Sequence, residues 1–299
     1  MPALQGILPA IVTPVDAREC FRAAAFERLV ERLYRAGVDG LYVCGQTGEG
    51  WQQTAAQRKL VAEAAVRCSP RGKTVIVHVG AQSTAEAVDL ARHAASAGAH
   101  AVSSLPPAGG YPFDEVREYY RTLAAASPLP LLIYYFPSLS PSIRTLDQIL
   151  ELCALPNVAG LKFTDSDLYR VWVIRRSGAV VFNGSDEMLV AGLLIGACGG
   201  IGSIYNLLPD EFAALYRLSA AGAWTEARAV QDRINGLIQA ILQFPLIAAV
   251  KTMLAWTGLD CGPVIAPRRM LTPAEQDELR ALVARTAYAD RFRTAAAAR

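Results

Sequence analysis

Short, almost continuously apolar runs alternate with helical patterns along the chain from residue 6 to about residue 222. Eight of these runs lack the in-out alternation of a half-exposed strand, so they read as strands buried on both faces. They span 6–12, 40–45, 74–80, 101–105, 130–136, 158–164, 179–184 and 199–205. Between them lie amphipathic segments such as 26–34 and 85–92, with Gly37, Gly98 and Gly178 placed where a helix can stop. Eight strand–helix pairs predict an α/β fold, a (β/α)8 TIM barrel. A doubly wound open sheet would give a similar alternation, but no Gly-rich phosphate fingerprint opens the first helix. After Gly222 the strands cease, and 223–244, 245–258 and 272–292 predict three further helices. The expected organisation is a barrel over 1–222 with a C-terminal three-helix extension, 223–299, packed on it.

One uncharged stretch, 188–208, approaches the length of a membrane span, but five glycines interrupt it and it ends on Ser203, Tyr205 and Asn206. It reads as a buried helix followed by a buried strand. The balance of 29 basic and 27 acidic residues, net charge +2, contains no run of like charge. Nucleic acid and anionic membranes are therefore not expected partners, and a small soluble molecule is. The six cysteines (Cys20, Cys44, Cys68, Cys153, Cys198, Cys261) form no CxxC pair and have no histidine at zinc-ligand spacing. Neither disulfides nor a metal is expected, and a reducing cytoplasm suits them. The first residues lack the basic segment and apolar run of a secretory signal, so export is not expected.

In a barrel of this kind the chemistry gathers at the C-terminal ends of the strands. Five of the eight expected ends carry polar clusters, at 44–50, 134–140, 160–164, 182–187 and 202–206. Lys162 stands out. It is one of four lysines and the one embedded in a β-patterned run. Burial can lower a lysine pKa by several units, and a neutral amine is what attacks a ketone. The plainer alternative is an ion pair at the barrel mouth. Lys251 is the rival amine, but it falls in an expected helix beyond the barrel, where a lysine head usually reaches solvent. Tyr134 lies one strand–helix repeat before Lys162 and is either a proton carrier, its pKa lowered by the nearby cation, or a core aromatic. Thr47, among Gly45, Gly48 and Gly50, sits in a tight loop whose backbone N–H groups suit a carboxylate, although such loops are also common turns. Asp186 and Glu187 could bind sugar hydroxyls, or could simply open a helix. His78, His93 and His100 do not converge.

At these residues the chain resembles the N-acetylneuraminate lyase and dihydrodipicolinate synthase superfamily. The shared motifs are Gly45-Gln-Thr-Gly-Glu49, Tyr134-Tyr-Phe-Pro137 and Gly160-Leu-Lys162. The resemblance runs from residue 6 to about 282. It implies that Lys162 forms a Schiff base with pyruvate, that Tyr134 carries protons and that Thr47 contacts the carboxylate. Leu139 stands where the synthase branch has an arginine for its aldehyde substrate. By contrast, Pro137-Ser-Leu-Ser140, Lys162-Phe-Thr164, Gly184-Ser-Asp-Glu187 and Gly202-Ser-Ile-Tyr-Asn206 resemble the lyase branch. By that likeness Thr164, Gly184, Asp186, Glu187 and Ser203 line the site and bind a hydroxyl chain. Two departures stand out. Gln46 replaces the family's first loop hydroxyl, so it can donate a hydrogen bond but cannot pass a proton through an O–H. Residues 106–112 lack the usual aromatic pair whose tyrosine enters a neighbouring subunit's site, with Tyr111 a candidate substitute.

The expected function is that of a class I aldolase cleaving a sialic acid or related 2-keto-3-deoxy sugar acid to pyruvate and an aldehyde, with no metal or organic cofactor. Its partners are then a small 2-keto acid and a sugar aldehyde, and the resemblance implies a homotetramer. The alternatives are a Schiff-base dehydratase or aldolase of another keto-deoxy sugar acid, a synthase-like enzyme, and a barrel that binds keto sugars without turnover.

Overall fold

A computed structural model describes residues 4–293 of the chain; the Ala-rich tail lies outside them. The apolar runs form eight short strands: β1 (Gly6–Pro9), β2 (Gly40–Val43), β3 (Thr74–His78), β4 (Ala101–Ser104), β5 (Leu131–Tyr135), β6 (Val158–Phe163), β7 (Val180–Asn183) and β8 (Gly199–Gly202). All pair in parallel in the order β1-β8-β7-β6-β5-β4-β3-β2. A bridge between Ala10 and Tyr42, with the Ile11 N–H donating 3.0 Å to the Tyr42 carbonyl, brings the two ends together. The sheet is thus a closed TIM barrel.

Helices follow the strands in turn: α1 (Ala23–Arg35), α2 (Ala55–Cys68), α3 (Thr84–Ser96), α4 (Phe113–Ala125), α5 (Leu146–Cys153), α6 (Leu168–Arg176), α7 (Leu189–Ile195) and α8 (Pro209–Ala220). Alternate strand residues divide the core in two. Ile7, Leu41, Val75 and Leu161 face outward to the helices, while Leu8, Tyr42, Ile76, Leu132, Phe182 and Ile201 fill the barrel interior. The interior is packed with side chains, so a ligand can enter only at the rim. Three more helices follow, α9 (Trp224–Ile241), α10 (Leu246–Trp256) and α11 (Pro273–Val283). No single described helix is long and apolar enough to cross a membrane; α9 and α10 would pass only together, and they are bent by 110° at their junction.

Two boundaries differ from expectation. Every strand stops one to three residues early at its C-terminal end; after β6, β7 and β8 the next residues, Thr164, Gly184 and Ser203, line the rim cavity instead. The last helix ends at Val283 rather than continuing to residue 292. The Thr286 hydroxyl donates to the Val283 carbonyl (2.8 Å) and accepts the Tyr288 N–H (3.2 Å), capturing backbone groups that a longer helix would use.

Candidate active site

Gln46, Thr47, Tyr134, Lys162, Thr164, Gly184, Asp186, Glu187 and Ser203 all line one cavity of about 780 Å³ at the C-terminal rim of the barrel. The size falls within the range of small-molecule sites. Its outer wall comes from the C-terminal helices and the segment after them, through Ile238, Leu242, Leu246, Ile247, Val264 and Arg268. The sequence reading missed this wall, since nothing in those residues' spacing says which rim they cover.

Lys162 and Tyr134 are direct neighbours across the β5–β6 ladder. Lys162 is 4% exposed, and its Nζ donates to Thr164 Oγ1 (3.1 Å) and lies 3.7 Å from the centre of the Tyr134 ring. It takes part in no ion pair among the described residues. Burial pushes its pKa down to about 7, partly opposed by the Asp186 carboxyl. A large share of this amine is therefore uncharged at neutral pH.

Tyr134 departs from expectation. The amine rests over the ring face rather than at the hydroxyl, and it does not lower the phenol's pKa. Burial instead raises that pKa well above the usual range, with a hydrogen bond from Thr164 opposing. The resting phenol is therefore protonated. His78, deeper in the barrel, accepts the Leu105 N–H at Nε2 (3.1 Å), and burial holds its pKa well below the usual range.

The other site residues depend on close backbone approach. A Cβ at Gly184 would lie 2.0 Å from Thr164 Oγ1, and one at Gly202 would lie 1.7 Å from Asp186 Oδ1. Only glycine leaves these polar groups room. Asp186 is buried; its Oδ2 accepts the Ile204 N–H (2.7 Å), while Oδ1 has no partner among the described residues. Burial raises its pKa to about 7, with the Ile204 N–H opposing. Glu187 is exposed at the cavity edge. Thr47 Oγ1 and Ser203 Oγ are hydrogen-bonded at 2.6 Å across the rim, joining the loops after β2 and β8. Gln46 is half-buried beside them. Tyr111 lines a separate cleft with Gln82, Glu115 and Tyr119.

Lys251 corrects the reading of its helix. It is 1% exposed, not solvated, and its Nζ donates to Glu49 Oε2 (2.7 Å) and to the Pro263 carbonyl (2.6 Å). Burial lowers its pKa and the Glu49 carboxylate opposes that shift. A usable signal was present: residues 247–254 are apolar around nearly the whole helix, and such a helix is buried with whatever charge it carries. Among the described residues no cluster of three or more His, Cys, Asp or Glu is placed to hold a metal.

Comparison with known proteins agrees with this geometry. The N-acetylneuraminate lyase of Rhizobium meliloti is 39% identical over 286 residues, 94% of this chain and 95% of that relative. The Salmonella agona N-acetylneuraminate lyase is 37% identical over 94% of this chain and 96% of its own. Among solved structures, a catalytic-lysine mutant of the Ruminococcus gnavus sialic acid aldolase superimposes with a TM-score of 0.89 at 28% identity, covering 94% of this chain and 96% of that one. A Clostridium difficile protein in complex with mannosamine gives 0.90 at 27% identity, covering 97% and 99%. The sequence pattern of the dihydrodipicolinate synthetase family matches residues 3–286, and with a barrel whose rim gathers a buried lysine, a phenol and paired hydroxyls, the chain belongs to that family.

Proposed function

We propose that this enzyme is a class I, pyruvate-dependent carbon–carbon lyase that cleaves a sialic acid or related 2-keto-3-deoxy sugar acid to pyruvate and an aldehyde. The observation that carries the reading is Lys162: a buried amine in a sugar-sized cavity, with hydroxyl and ring neighbours in place of a carboxylate partner. The free amine attacks the C2 ketone and forms a carbinolamine. Tyr134 donates its proton to the departing hydroxyl, so water leaves and an iminium remains. The phenolate left behind is stabilised by the iminium cation beside it. It then takes the proton of the C4 hydroxyl. The C3–C4 bond breaks, its electron pair flows to the iminium nitrogen, and an aldehyde and an enamine result. Protonation at C3 and hydrolysis release pyruvate and restore Lys162.

Thr47, with Gln46, serves the carboxylate and Ser203 the hydroxyl chain, the two hydroxyls exchanging their mutual hydrogen bond for bonds to substrate. Thr164, Gly184, Asp186 and Glu187 serve the hydroxyl chain; the unpartnered Asp186 Oδ1 is a ready acceptor. No step calls on a metal or organic cofactor. The same reading takes the protein as a cytoplasmic homotetramer, supported by six free cysteines and by family likeness. Purified protein given N-acetylneuraminate and several 2-keto-3-deoxy acids should release pyruvate from at least one. Keto-acid products formed without an aldehyde would indicate dehydration instead, and no turnover of any of them would leave a binding protein.

A further inference from the structure

We propose that Glu49 and Lys251 are positioning residues for the keto-acid carboxylate: their buried ion pair fixes the turn that presents Gln46 and Thr47, so carboxylate binding depends on the docked C-terminal helices. This rests on the Schiff-base reading above and extends it to residues outside the cavity wall.

The turn after β2 is tightly wound and needs support. Cys44 and Glu49 both adopt left-handed backbone conformations (φ +59° and +56°), which side chains with a Cβ disfavour. The Glu49 and Gly50 N–H groups donate back to the Gln46 and Gly45 carbonyls at 3.1 and 3.0 Å. At Gly50 a Cβ would lie 1.8 Å from the Cys44 carbonyl oxygen. From the barrel side, Thr13 Oγ1 and Gln53 Nε2 hold the Gly48 carbonyl (2.7 and 2.6 Å).

Glu49 holds the turn from the other side. Its side chain is fully buried; Oε2 accepts from Lys251 on α10 (2.7 Å) and Oε1 accepts the Ile265 N–H (2.7 Å). Both oxygens are thus spent on the C-terminal segment, and neither Glu49 nor Lys251 lines the cavity. Two residues back along the same turn, Thr47 faces the cavity and bonds Ser203. A carboxylate held by a hydroxyl and backbone N–H groups is sensitive to sub-ångström placement. The anchor on one face of the turn therefore sets the donors on the other.

The test uses the full chain as Glu49→Gln, Lys251→Met and the double variant. The double variant leaves neither charge of the pair buried and alone, and so guards against misfolding of either single change. Borohydride trapping on Lys162 is titrated with pyruvate and with hydroxyacetone, a ketone without a carboxylate. We expect the pyruvate half-saturation to rise roughly ten- to hundredfold in all three folded variants, while trapping of hydroxyacetone stays within about twofold of wild type, because the amine itself is untouched. Parallel loss of both reactions indicates general destabilisation and overturns the proposal, as does an unchanged pyruvate half-saturation. If wild type fails to trap pyruvate, the Schiff-base reading itself falls, and this inference with it.

Discussion

The chain buries two lysines within one molecule, and they solve the problem of a buried cation in opposite ways. Lys251 keeps its charge company: a carboxylate at 2.7 Å and a carbonyl at 2.6 Å surround its Nζ. Lys162 has a hydroxyl at 3.1 Å and an aromatic face, and it responds by giving up its proton near pH 7. Burial acts on both; the counterion decides the outcome. An amine that is neutral at working pH is a nucleophile, whereas one locked in an ion pair is a fastener. Under the proposed mechanism, the difference separates chemistry from architecture at two sites that share one residue type.

Substituting each lysine in turn should break the comparison most sharply. Lys162→Met is expected to lower cleavage by roughly 10⁴-fold or more, since no other group can replace the electron sink. It should also raise the melting temperature, because it removes an uncompensated buried amine. Turnover and thermal melting check both halves, and a destabilised variant would contradict the claim that this lysine lacks a compensating partner. Tyr134→Phe removes the hydroxyl proposed to carry the proton but keeps the ring, and a loss of about 10²- to 10⁴-fold in kcat is expected. Measured activity close to wild type would place the proton transfer elsewhere.

Lys251→Met should act with the opposite sign on stability. It leaves the buried Glu49 carboxylate with the partly exposed Arg268 guanidinium, 3.8 Å away, as its remaining cation, at a cost of up to about 3–5 kcal/mol in denaturant unfolding. The Glu49→Gln/Lys251→Met pair should cost less than the two single changes together. A smaller effect follows from pH. The folded pKa of Lys162, about 7, lies below its unfolded value of 10.5. Between these limits the unfolded chain holds a proton that the folded chain does not, so this group's contribution to stability rises with pH from about 7 to 10.5. Comparing wild type with Lys162→Met in that window isolates the slope; an equal slope in both would contradict the shift.

Much of this was legible in the sequence. The eight barrel strands were visible because parallel strands covered on both faces are apolar throughout, and Lys162 was visible as a cation inside one of them. Its neighbour Tyr134 followed from the repeat length. The Lys251 partner was not legible, since Glu49 lies 202 residues earlier and local pattern carries no record of such a contact. The resting geometry of Tyr134 was also hidden, because a ring-face contact and a hydroxyl contact share the same residue spacing. The outer cavity wall required knowing where α9 and α10 pack, which depends on the whole surface of the barrel rather than on their own periodicity.

Trapping pyruvate with borohydride across about pH 5 to 10, and mapping the modified peptide, tests the central claim most directly. The account predicts a single adduct on Lys162 whose rate of formation reaches half its maximum near pH 7. An adduct on Lys251, or a rate on Lys162 that keeps climbing towards pH 10 as for an ordinary lysine, would contradict it.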